Sequence, residues 1–169
     1  MNKRGQVWVE TLLYTLIAFV MIGIVLYFAS PRISSAQDKA ILDQTVKIME
    51  DINTLVTTIG IPGNKRLVEL TIKKGELKID AESNLIIFEM DTQYQYSELD
   101  QGIEYGGITS FTEAKGDIYT TRFTSDYSSY DLTYQDQDII KTITKSSSPY
   151  KLFITNKGST PTKIDFELA

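Results

Sequence analysis

The chain of 169 residues contains no cysteine and no histidine. Without cysteine no disulfide can staple the fold, so any domain must rest on its own packed core. Without histidine, the residue that most often activates a serine or threonine nucleophile is missing, and zinc finds neither of its commonest ligands. Glycine-rich phosphate loops are absent too. No pair of carboxylates stands out by spacing or apolar setting as an acid and base. These gaps argue against an enzyme, and no catalytic residue, metal or cofactor is expected. There is no Asn-x-Ser/Thr acceptor, so no N-linked glycan is expected either. Bases are in deficit, 17 against 22 acids for a net charge of −5, which makes nucleic acid an unexpected partner.

Charge is missing altogether from Thr11 to Pro31. These residues, at about 1.5 Å each, make roughly 30 Å of helix, the thickness of a bilayer's hydrocarbon core. Their apolar side chains point all round the helix, unlike the single stripe of a soluble core helix. A secretory signal peptide has a shorter apolar region, about 7 to 15 residues, although Ser34-Ser35-Ala36 is a passable small-residue cleavage site. Lys3 and Arg4 precede the run, with Arg32 and Lys39 beyond it. This thin bias favours a cytoplasmic N-terminus and an external C-terminal domain.

Glu10 lies one residue before the uncharged run. A charged side chain at a helix centre in lipid costs about 2.5 to 3.5 kcal/mol, less near the interface, so an acid here needs a partner. If the chain were cut between Gly5 and Gln6, the new α-amine, with a reference pKa of about 7.7 to 8.0, would lie one helical turn from Glu10. The two charges can pair along one helix face or between neighbouring helices staggered by about a turn.

A basic leader, Gly5, Gln6 and then Glu10 opening an apolar helix resembles the archaeal type IV pilin-like precursors, whose motif is written QxSxExxxL. Gln6 and Glu10 occupy its first and fifth positions. Trp8 stands where the family has Ser, and Tyr14 where it has Leu, with Leu13 one position early. The resemblance implies that Lys3, Arg4, Gly5 and Gln6 form a processing site cut after Gly5 by a membrane-embedded prepilin peptidase. It also implies that Gln6 and Glu10 serve assembly with other copies or related pilin subunits. Removal of the leader takes two bases and leaves a net charge of −7.

After Pro31, which lacks an N–H and clashes with the preceding turn, a kink or break is expected. Apolar residues then recur with helical period from about Ser34 to Ile59. Ile41, Ile48 and Leu55 lead the stripe, Thr45, Ile52 and Ile59 follow four residues behind, and Leu42, Met49 and Val56 widen it. Lys39, Asp43, Lys47 and Asp51 form the polar face at i, i+4 spacing. Gly60 and Pro62-Gly63-Asn64 end the helix.

From Asn64 the period switches to two. Val68, Leu70 and Ile72 alternate, Lys74-Gly75 turns, and Leu77 and Ile79 return. Further strands are expected at Leu85–Met90, Ile103–Tyr105, Ile108–Phe111, Ile118–Phe123, Tyr130–Tyr134 and Ile139–Ile143, with a closing hairpin of Tyr150–Thr155 and Thr162–Leu168. The expected fold is α+β: a leader at 1–5, a transmembrane helix at 6–31, an amphipathic helix at 32–61 and an extracellular antiparallel β-sandwich-like domain at 62–169. Asp126, Asp131, Asp136 and Asp138 read as a solvated loop in preference to a Ca²⁺ site, there being no EF-hand spacing. Seven tyrosines between Tyr94 and Tyr134 suit strands and also interfaces. Two functions fit: a pilin-like filament subunit, or an uncleaved, membrane-anchored surface or accessory protein with an external stator or binding module.

Overall fold

The structure, a computed structural model, describes residues 3–169, with Lys3–Gln6 described by backbone alone. It has one long helix, α1 (Lys3–Thr58), followed by sheets, the α+β architecture expected. The chain divides into two compact units, Met1–Gln37 and Asp38–Ala169.

In the first unit α1 continues through Pro31, so of the kink or break expected there the break does not occur. Proline removes one intrahelical bond, to the Tyr27 carbonyl, and leaves the other bonds in place. The two threonines at the start of the apolar run satisfy themselves on their own helix: Thr11 donates to the Val7 carbonyl at 2.9 Å and Thr15 to the Thr11 carbonyl at 2.8 Å.

In the second unit the helix buries Leu42, Thr45, Met49, Ile52 and Val56, with Ile59 just beyond its end. Ile41, Ile48 and Leu55 are only partly buried. The stripe is therefore centred between the Thr45 and Leu42 rows, about 70° round the helix from the Ile41 row that leads it in sequence. Thr45 tolerates burial because its hydroxyl donates to the Ile41 carbonyl at 2.9 Å. Lys39, Asp43, Lys47 and Asp51 are exposed as expected. No ion pair joins them among the described residues; Lys39 sits instead over the Tyr94 ring, 5.6 Å from its centroid. The helix end is tied down by side-chain amides: Asn64 donates to the Ile59 carbonyl at 2.6 Å and the buried Asn156 to that of Gly60 at 2.7 Å. Gly60 takes φ 77°, a left-handed conformation suited to glycine.

The strands are β1 (Lys65–Leu70), β2 (Glu76–Asp80), β3 (Leu85–Thr92), β4 (Ile103–Tyr105), β5 (Ile108–Lys115), β6 (Ile118–Asp126), β7 (Tyr130–Tyr134), β8 (Ile140–Thr144), β9 (Tyr150–Gly158) and β10 (Thr162–Leu168). They form a four-stranded sheet in the order β1-β9-β10-β7 and a six-stranded sheet in the order β4-β5-β6-β3-β2-β8. All pairs are antiparallel except β10 with β7. The hairpin expected around Lys74-Gly75 is not formed. β1 pairs with β9, and Leu70 to Glu76 carries the chain from one sheet to the other. Gly75 permits this close crossing, since a Cβ there would stand 2.5 Å from the Glu89 carbonyl oxygen.

The inner faces follow the period of two. Ile86, Phe88 and Met90 of β3 and Leu152 and Ile154 of β9 are essentially inaccessible. They join the helix stripe in one core, where Phe88 stacks on Phe123 at 6.3 Å and Tyr96 meets Phe123 edge-on at 5.0 Å.

Candidate assembly surface

Between Val7 and Ile33, eighteen large apolar side chains are 48 to 78% exposed. Among the described residues nothing covers them, and by length and composition this helix can cross a membrane. Its tryptophan and tyrosines lie towards the two ends, Trp8 and Tyr14 near the start and Tyr27 near the finish, with Phe19 between them. Trp8 and Tyr27 are nineteen residues apart, about 28 Å along a helix, the spacing of the two aromatic belts of a bilayer.

Glu10 lies on this surface. Its carboxylate accepts a hydrogen bond from the Tyr14 hydroxyl one turn further on, at 3.3 Å. In sequence Tyr14 stood out only as a departure from the pilin motif; its spacing of four from Glu10 was the overlooked signal. Lys3, Arg4, Gly5 and Gln6, the residues of the expected processing site, have helical backbone, and their side chains lie outside the described residues.

The other candidates scatter. Asp126 caps the turn at Ser128, accepting its N–H at 2.7 Å, and Asp131 pairs with Lys163 at 3.3 Å. Asp136 pairs with Lys157 at 2.9 Å, and the hydrogen bond between them holds the lysine's pKa above its ordinary value. Among the described residues no three carboxylates converge to hold a metal ion. The tyrosines divide by position. Tyr127 and Tyr134 are core residues, Tyr94, Tyr96 and Tyr130 pack against the core, and Tyr105 is 75% exposed.

Two buried acids escaped the sequence. Asp38 sits between the Lys74 ammonium at 2.7 Å and the Gln93 N–H at 2.7 Å. Asp165 accepts from the Thr133 hydroxyl at 2.8 Å and the Asp136 N–H at 2.7 Å, with Lys157 at 3.6 Å. Both tie loops to the framework. A cavity of about 210 Å³ beside β4 is lined by apolar and aromatic residues, among them Val46, Tyr96, Ile103, Tyr105 and Phe123, and by Ser97 and Ser110. Comparison with protein-family models, with curated proteins and with solved structures finds no match to this chain.

Proposed function

We propose that this chain is a type IV pilin-like structural subunit, processed after Gly5 and assembled through its apolar N-terminal helix into a surface filament, with the β domain facing outward. The observation that carries this reading is the uncovered apolar helix with an acid at its head. Burying one large apolar side chain is worth about 1.5 to 3 kcal/mol, so a helix with eighteen of them exposed requires lipid or other apolar helices around it. Lipid alone would satisfy the apolar surface and give no reason for Glu10. A released α-amine at Gln6 on an adjacent copy gives one, because a charge pair fixes register where greasy contact does not. The partners are then a prepilin peptidase, the membrane before assembly, and other copies or related pilins afterwards.

The first test is the N-terminal residue of protein purified from membranes, read by mass spectrometry. The expected mature chain begins at Gln6. An intact Met1 would favour the anchored surface protein, and a start at Gln37 a cleaved secretory signal. Gly5→Arg should leave an unprocessed precursor in the membrane.

A further inference from the structure

The six-stranded sheet has two open edges, β4 and β8. Seven large apolar side chains of the Asp38–Ala169 unit are exposed, and five of them lie at these edges: Leu99, Ile103 and Tyr105 at β4, Ile139 and Ile140 at β8. Apolar groups on an open edge invite strand pairing, which proteins ordinarily suppress with charge, proline or bulges. Here the charges are of opposite sign. Between Lys78 and Lys115 the chain has eight acids and no base, and between Asp138 and Asp165 it has five lysines and no acid. Glu98, Asp100 and Glu104 flank the β4 edge, Lys141 and Lys145 the β8 edge. None of these five makes an ion pair among the described residues.

Strand direction agrees with charge. Every step from β4 across to β8 is antiparallel, so with six strands the two edges run in opposite directions. A second copy set beside the first without being turned over brings its β4 antiparallel to the first copy's β8, and the alternation continues unbroken. Two β4 edges would oppose acid to acid, and two β8 edges lysine to lysine. The charges thus block like pairing and permit only the unlike one.

Resting on the pilin reading above, we propose that the β domains of neighbouring copies join edge to edge, β4 of one against β8 of the next. Such a contact is heterologous. It leaves a free edge at each end and so propagates along a filament.

The test uses the absence of native cysteine. Glu104 and Thr142 are the central residues of β4 and β8. Opposed residues in an antiparallel pair have Cα atoms about 4.5 to 5.5 Å apart, within disulfide reach. In full-length filaments, the Glu104→Cys/Thr142→Cys double variant should give, on mild oxidation, a ladder of covalent multimers. Each single variant should give monomers, and the two single variants mixed before assembly should give dimers only. Filaments that form normally without a ladder would overturn the edge contact and leave the pilin reading standing. Dimers from Glu104→Cys alone would overturn the head-to-tail arrangement. A chain that keeps Met1 and forms no filament would overturn both.

Discussion

Glu10 has two partners at two stages of the proposed assembly. In the lone subunit its carboxylate accepts from Tyr14 at 3.3 Å; in the filament it meets the amine of Gln6. A tyrosine hydroxyl offers a hydrogen bond and no charge, so the exchange favours assembly. Glu10→Gln keeps the shape and removes the charge, and should leave insertion and processing intact. It leaves the amine unmatched, a penalty of about 3 to 5 kcal/mol in buried cases, enough to lower association at least a hundredfold by the relation of about 1.4 kcal/mol per tenfold. Electron microscopy of filament yield, beside membrane levels of processed subunit, reads the outcome; normal filaments would remove the reason to prefer a pilin over an anchor. Tyr127 makes a different residue-scale prediction. Its hydroxyl is buried beside that of Ser125 and makes no hydrogen bond of good geometry among the described residues, and burial pushes the phenol's pKa up. The folded state therefore keeps its proton above about pH 10, where an unfolded tyrosine releases it. That contribution is fully present below about pH 10 and is lost as pH climbs towards the folded value. Tyr127→Phe should be at least as stable at pH 7, having no orphaned hydroxyl to bury, and should lose less stability between pH 9 and 11 on the scale of about 10 for tyrosine. Parallel wild-type and variant curves of denaturation midpoint against pH would contradict this.

At the scale of elements, legibility followed locality. The helix stripe and most strands were readable because their periods, 3.6 and 2, are written into adjacent residues such as Met49-Ile52-Val56 and Ile86-Phe88-Met90. The pairings were not. β1 finds β9 eighty to ninety positions away, Leu70 opposite Tyr150 and Lys65 opposite Thr155, and no local pattern states such a choice; the plausible β1–β2 hairpin failed because the crossing at Gly75 mimics a turn. The strands begun by Ile118–Phe123 and Tyr150–Thr155 run on to Asp126 and Gly158, polar continuations that lack the apolar alternation that marks a strand. Asp38 carries no signal of its own in sequence, because beside Lys39 it resembles the solvated face. It is 5% exposed and joins the helix to both the β1–β2 crossing and the end of β3. Asp38→Ala should therefore strand the Gln93 N–H and cost about 1 to 3 kcal/mol. Asp43→Ala, on the exposed face, should stay within about 0.5 kcal/mol of wild type. Equal losses in melting temperature from the two variants would deny Asp38 this joining role.

For the whole molecule, the division at Gln37 and Asp38 separates a helix without a core from a unit with one. A fragment beginning at Ser34 keeps the entire second unit and discards the uncovered apolar surface, so it should be soluble and folded, with strand signal and one helix by circular dichroism. A fragment beginning at Pro62 keeps every strand and loses Leu42, Met49, Ile52 and Val56, all 0 to 1% exposed. At about 1.5 to 3 kcal/mol for each such side chain, their removal takes roughly 6 to 12 kcal/mol from a domain whose whole stability is expected to be about 5 to 15 kcal/mol. With no disulfide to hold the remaining strands, the shorter fragment should be unfolded or aggregated. The Ser34 fragment should melt cooperatively, and chemical denaturation followed by circular dichroism compares the two directly. A Pro62 fragment that melts as sharply as the Ser34 fragment would mean the sheets close on each other without the helix. The Ile52 stripe would then be free for a partner, and the helix beyond Asp38 would belong to the filament core instead of the domain core.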